Sequence, residues 1–273
     1  MSDQKNSRNK LVFLKLGGSL ITEKNEPSIP RIAVLDRLAA EIAQALDAEP
    51  GLRLLVGHGS GSFGHVPARE YQTKNGVYSK REWQGFMKVW RQASTLNRIV
   101  VEALSEKRLP AITFPPSASV VARGGKLVEW NLAPISRALD VGLLPVIYGD
   151  VIFDKQIGGT IFSTEDLFLH LAAELRTHRI LLAGFEEGVW EDFPKKSRLI
   201  PHISPQEISK FDGGIGSSIA ADVTGGMHSK VRLSLKIAES VSGLEILIFS
   251  GVQPGSLKKA LSGEHPGTVI TAE

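Results

Sequence analysis

Twice near its start the chain drives a short apolar strand straight into a knot of glycines. Leu11–Leu16 runs into Gly17-Gly18-Ser19, and Leu52–Val56 runs into the segment Gly57–Gly64. Glycine permits backbone conformations and close approaches that a Cβ forbids. Between the two strands Leu35, Leu38, Ala39, Ile42 and Leu46 recur at helical spacing. The alternation continues: a long helix is expected over about Glu82–Glu106, a strand at Ala111–Phe114, a helix near Asn131–Asp140 and a strand at Leu143–Tyr148. Val151–Asp154 and Thr160–Phe162 flank Gly158-Gly159 and read as a β-hairpin. Ser163 and Asp166 form a capping box for a helix carrying Leu167, Phe168, Leu171 and Leu175. Strands follow at Ile180–Leu182 and Ile246–Phe249, with a helix bearing Val231, Leu233, Leu235 and Ile237 between them. Strands alternating with helices imply an α/β fold, a three-layer αβα sandwich around a mainly parallel, open sheet. The polar, glycine-rich stretch Glu186–Ser218 is expected to be an irregular lid or a nucleotide-side loop.

With 273 residues, 42% of them hydrophobic, the chain has enough apolar material for one such domain, and no linker forces a split. A single domain over residues 11–273 is expected, preceded by a frayed polar tail from Met1 to Lys10 that lacks the apolar core of a signal peptide. No apolar run approaches the roughly 20 residues a bilayer span requires. The absence of cysteine excludes disulfides and thiolate-bound metals and fits a reducing cytoplasm. A net charge of +3 and an isoelectric point near 9.0 lean toward anionic ligands, but no basic block points to nucleic acid.

Glycine-rich points stand at strand ends or helix starts three times: Gly17-Gly18-Ser19, Gly57–Gly64 and Gly225-Gly226. Ligands of open α/β sheets bind at that edge, and free N–H groups at helix starts attract phosphate oxygens. Lys15, Lys24 and Lys230 accompany them, and Lys15 interrupts a strand that is otherwise apolar. Together they point to a binder of several phosphates. Gly59, Gly61 and Gly64 also satisfy the dinucleotide pattern G-x-G-x-x-G, but the acidic residue that pattern needs would fall near Glu82, at a helix start. No Walker A sequence is present, so a kinase here would not be of the P-loop class.

Lys15-Leu16-Gly17-Gly18-Ser19 with Lys24 resembles the opening of amino acid kinase superfamily members. Gly57-His58-Gly59-Ser60-Gly61-Ser62-Phe63-Gly64-His65 is similar to the corresponding segment of isopentenyl phosphate kinases. Tyr148-Gly149-Asp150 and Asp222-Val223-Thr224-Gly225-Gly226-Met227 with Lys230 follow in the expected order, so the resemblance spans about residues 11 to 270. It implies transfer of the ATP γ-phosphoryl group to isopentenyl phosphate, with magnesium accompanying ATP, small-molecule substrates only, no resident metal site, and a homodimer.

By the same resemblance His65 holds the acceptor phosphate, Ser60 and Gly61 offer backbone amides, and Lys24 steadies the charge in flight. ATP is assigned to Lys15, Gly17, Gly18, Ser19, Gly61, Asp222, Thr224, Gly225, Gly226 and Lys230. The acceptor is assigned to Ser60, Gly61, His65, Gly149, Asp150 and Ser163, with Phe86, Val89, Val151 and Ile161 along its hydrocarbon tail. Plainer readings stand beside these: a backbone-bonded helix-start histidine for His65, loop caps for Asp150 and Asp222, and ordinary core for the apolar set. Ser60 and Glu165 depart from the family pattern, and so does Gly184-Phe185-Glu186-Glu187-Gly188-Val189. The rival readings are a fosfomycin or amino acid kinase and a nucleotide-sensing module on the same fold.

Overall fold

The computed structural model describes residues 10–24, 26–208 and 226–273. In chain order the elements are β1 (Lys10–Leu16), α1 (Gly18–Ile21), α2 (Ile32–Ala48), β2 (Leu52–His58), α3 (Gly61–Tyr71), α4 (Lys80–Glu106), β3 (Ala111–Thr113), β4 (Val120–Arg123), β5 (Lys126–Trp130), α5 (Ala133–Asp140) and β6 (Leu144–Tyr148). There follow β7 (Asp150–Asp154), β8 (Gly158–Phe162), α6 (Thr164–Leu175), β9 (Arg179–Gly184), β10 (Val189–Trp190), β11 (Leu199–Ile200), β12 (His202–Ile203), α7 (Gly226–Ser240), β13 (Glu245–Ser250), α8 (Ser256–Leu261) and β14 (Gly267–Ile270).

Eight strands form the main sheet in the order β12-β14-β13-β9-β1-β2-β6-β3. Every neighbouring pair is parallel except β13 with β14. Central β1 shows why two helical layers are needed. Successive side chains of a strand point to opposite faces. Leu11 and Phe13 enter a core with Ile135 of α5, Phe168 of α6 and Val231 of α7. Val12, Leu14 and Leu16 enter a second core with Leu38 of α2, Val100 of α4 and Leu257 of α8. The expected three-layer αβα architecture follows, and the alternation assigns Lys15 to the face of Leu11 and Phe13.

A smaller four-stranded sheet, β5-β4-β7-β8, lies beside it. The hairpin expected at residues 151–162 is its antiparallel pair β7–β8. The β4–β5 hairpin was not anticipated, although Gly124 and Gly125, at φ +58° and +73°, fill its turn. Asp154 joins the two hairpins, accepting bonds from Gly124 N (2.9 Å), Gly125 N (2.7 Å) and Gln156 N (2.8 Å).

The expected irregular segment from Glu186 needs correcting over its described part. β10 pairs with β11, β12 joins the main sheet beside β14, and Val189, Ile200 and Ile203 are buried in the first core. Three apolar anchors are enough to seat this otherwise polar stretch. Residues 209–218 of that expectation, and residues 1–9 of the expected tail, lie outside the described residues; Lys10 already opens β1.

Candidate active site

Because β9, β1 and β2 run parallel side by side, their carboxyl ends open at one rim of the sheet. Leu16 stands opposite His58, so both glycine-rich loops leave at the same level. Gly17 N donates to Ala183 O (2.8 Å) and Gly59 N to Leu16 O (3.0 Å), which ties each loop to the neighbouring strand. The loops then touch each other. A Cβ on Gly18 would collide with the backbone nitrogen of Gly61, and Gly61 adopts a φ of +49° that favours glycine. Thr22 laces them together: its hydroxyl donates to Gly18 O (2.8 Å) and accepts from Ser62 N (3.0 Å).

The backbone N–H groups of Gly18, Ser19, Ser60 and Gly61 donate to no group among the described residues. The Ser62 hydroxyl is buried and likewise unpartnered. Donors without acceptors are rare away from water, and of these five residues only Ser19 is exposed. Five of them on two touching loops, beside the amino end of α3, make an anion cradle.

Beneath the cradle lies a charge cluster. The capping box of α6 is formed as expected, with Asp166 N donating to Ser163 Oγ (3.1 Å) and Ser163 N donating to Asp166 Oδ2 (2.9 Å). This start places Glu165 in the first turn, where the helix dipole favours a carboxylate. Lys15 Nζ donates to Glu165 Oε1, and both side chains are largely buried. Burial works to raise the Glu165 pKa, but the charges of Lys15 and Lys230 and the Lys15 hydrogen bond outweigh it and hold the carboxylate below its usual range. Lys230, on the first turns of α7, thus acts on the same carboxylate as Lys15.

The other assigned residues have the following places. His65 is exposed, one turn into α3, and Lys24 is exposed in the loop after α1. Gly149 N donates to His58 O (3.1 Å). Asp150 is fully buried and accepts from Ser117 N (3.1 Å) and Val151 N (2.9 Å), contacts of a loop cap; burial pushes its pKa up to about 6. Phe86, Val89, Val151 and Ile161 gather with Val77 and Ala68 in a small apolar cluster separate from both sheet cores. Gly226 opens α7, while Asp222, Thr224 and Gly225 lie outside the described residues.

A cradle of amides over paired lysines, set at the carboxyl rim of a parallel sheet, is where comparison with known proteins becomes informative. The sequence profile of the amino acid kinase family matches residues 10–250. Isopentenyl phosphate kinase of Methanothermobacter thermautotrophicus is 34% identical, over 96% of this chain and 100% of that protein. The enzyme of the same name from Methanocaldococcus jannaschii is also 34% identical, over 95% and 98%. The chain belongs to the isopentenyl phosphate kinase branch of the amino acid kinase family. A solved X-ray structure of an isopentenyl phosphate kinase superposes with a TM-score of 0.80 at 32% identity, covering 96% of this chain and 100% of that one.

Within that family the departures noted in the sequence have definite places. Glu165 is the largely buried partner of Lys15, joining the start of α6 to the end of β1. Ser60 caps α3 without a side-chain hydrogen bond to it, leaving the amide as its contribution to the rim. In the altered segment after β9, Phe185 O accepts from Ser250 Oγ (3.1 Å), and the Arg31 guanidinium sits 5.0 Å from the centre of the Phe185 ring. Sequence reasoning missed Thr22 and Ser62, although Ser62 stood inside the quoted glycine-rich motif.

Proposed function

We propose that the chain transfers the γ-phosphoryl group of ATP to isopentenyl phosphate, giving isopentenyl diphosphate and ADP. The observation that carries this reading is the set of unpartnered amides at Gly18, Ser19, Ser60 and Gly61 on two loops in contact, above Lys15 and within the field of Lys230. Two anionic molecules meeting end to end need donors of this kind on both sides of the transferred group.

An oxygen of the acceptor's phosphate attacks the γ-phosphorus, and the bond from that phosphorus to the β–γ bridging oxygen breaks, leaving ADP. A phosphate monoester is already ionised near neutral pH, so the attacking oxygen needs no general base. The transition state of phosphoryl transfer is loose, and the protein's work is positioning and charge stabilisation. The Gly18 and Ser19 amides face the ATP phosphates from one loop, and Ser60 and Gly61 face the acceptor and the group in flight from the other. Lys15, fixed by Glu165, and Lys230 offset the developing charge. His65 and Lys24 border the acceptor side.

Among the described residues no cluster of three or more histidine and carboxylate side chains is built to hold a metal. Magnesium enters as part of MgATP, since it keeps most of its waters and binds phosphate oxygens. The cluster of Phe86, Val89, Val151 and Ile161 is assigned to the hydrocarbon tail. A homodimer is part of the same reading: Trp83, Met87 and Trp90 recur along α4 at 38%, 53% and 44% exposure, an apolar strip that a second copy would remove from water. No described helix is long and apolar enough to cross a membrane, and we place the protein in the cytoplasm.

The deciding experiment is an acceptor panel. Purified protein with MgATP is offered isopentenyl phosphate, dimethylallyl phosphate, fosfomycin and amino acids, and ADP release is followed. Turnover on the first exceeds that on fosfomycin or any amino acid; the opposite ranking rejects the assignment.

A further inference from the structure

His58 ends β2 and is fully buried, yet nothing in the proposed chemistry calls for an imidazole there. Its ring lies nearly parallel to Tyr148, 5.4 Å between centres and 13° between planes. Its Nδ1 lies 3.1 Å from Gly59 O, and its Nε2 lies 3.1 Å from Asn97 Nδ2. Asn97 Oδ1 in turn accepts from Thr113 Oγ1 (2.8 Å).

One atom orients the whole chain of bonds. A carbonyl oxygen only accepts, so Nδ1, facing Gly59 O, carries the proton. In a neutral imidazole Nε2 is then an acceptor, which turns the Asn97 amide to donate and leaves its oxygen for the Thr113 hydroxyl. Burial, with the neighbouring Lys15 charge, lowers the His58 pKa to about 4 against the pull of the Gly59 carbonyl, so the ring is neutral at working pH.

The consequence falls on the next peptide. In a trans peptide the C=O of one residue and the N–H of the following residue point in opposite directions. Gly59 is the residue whose ψ would swing that peptide, and glycine leaves it free to swing. We propose that His58 is a positioning residue: by drawing the Gly59 carbonyl into the core, it turns the Ser60 N–H outward into the anion cradle. His58 O is itself held by Thr164 Oγ1 (2.6 Å) and Gly149 N (3.1 Å), so the ring works from a fixed base. Swung over, the same peptide would offer the incoming phosphate a carbonyl oxygen instead of a donor, much worse than a lost bond.

This role rests on the reading of Ser60 as a phosphate-side donor, and the test separates the two. His58→Phe keeps a ring against Tyr148 and removes the donor; His58→Asn keeps a donor close to the Nδ1 position; His58→Gln moves it toward Nε2. On whichever acceptor the panel selects, His58→Phe is expected to lower kcat roughly 10- to 100-fold, short of or equal to the loss of one transition-state donor, with smaller changes in both KM values. His58→Asn recovers most of that loss and His58→Gln does not. Equal turnover in His58→Phe and His58→Asn overturns the proposal. Imidazole nitrogen NMR on the ligand-free wild type gives a readout independent of activity and of any variant's folding. A proton on Nδ1 supports the proposal, and a proton on Nε2 overturns it. A wild type inactive on isopentenyl phosphate would reject the assigned acceptor while leaving the NMR result to decide His58.

Discussion

Lys15 and Glu165 stand 150 residues apart in sequence and form one buried ion pair, in which a strand end and a helix start meet beneath the glycine loops. Its effect on stability and its effect on catalysis separate by mutation. Lys15→Met leaves Glu165 buried without its nearest counter-charge, which costs on the order of 3–5 kcal/mol. Adding Glu165→Gln removes the stranded charge and is expected to restore most of that stability. Turnover stays lost in both, by at least about a hundredfold, as for removal of a group stabilising transition-state charge. Urea unfolding alongside ADP release checks the pair of outcomes.

Contact between the two loops makes a sharper prediction. Gly18→Ala places a methyl group on the Gly61 backbone, and Gly61→Ala forces a side chain into a left-handed conformation against Thr22. The second change costs about 1–2 kcal/mol from conformation alone. Both are expected to weaken binding of ATP, measured by calorimetry, with the melting temperature falling by only a few degrees.

On the acceptor side, His65→Ala should raise the KM for isopentenyl phosphate at least about tenfold and change the KM for ATP much less, the signature of lost ground-state binding to one substrate. Equal increases in both KM values would reassign His65.

His58 and Asp150 give stability opposite pH slopes across nearly the same window. The buried imidazole, lowered from 6.5 to about 4, binds fewer protons in the folded chain than in the unfolded one, so its contribution rises as pH climbs through that interval. The buried carboxyl, raised from 3.8 to about 6, binds more protons when folded, so its contribution falls over the same climb. Each spans roughly 3 kcal/mol, and the wild type is expected to show little net slope from these two groups. Asp150→Asn should expose the rising slope and His58→Asn the falling one, read from urea midpoints between pH 4 and 7.

How far the sequence reaches depends on whether a signal is local. Long periodic segments declared themselves: α4, the β7–β8 hairpin and the Ser163–Asp166 capping box follow from spacing alone. A second box, Ser79 with Glu82, would have moved the start of α4 back to Lys80, since Ser79 is its N-cap. Strands of two residues, β10 to β12, offer no alternation to detect. The glycine-rich loops at the strand ends were legible because a strand running into glycine is a local pattern. The partner of Lys15 was not, because nothing in Glu165's own neighbourhood distinguishes it from any acidic residue in a first helical turn. His58 was hidden by its motif: nothing local sets it apart among so many glycines, and its bond to Asn97 and its stacking on Tyr148 exist only once α4 and β6 are folded beside it.

The interlock of Gly18 with Gly61 leaves the anion grip written almost wholly in main chain. Point mutation has few side chains there to vary, so the grip is inherited intact or lost. The apolar cluster around Phe86 and Val151 belongs to other elements and is all side chain. On the proposed assignment of that cluster to the acceptor's tail, new acceptors, whether reached by natural drift or by laboratory selection, are to be sought in its lining, where size and shape change one residue at a time while the two loops stay untouched.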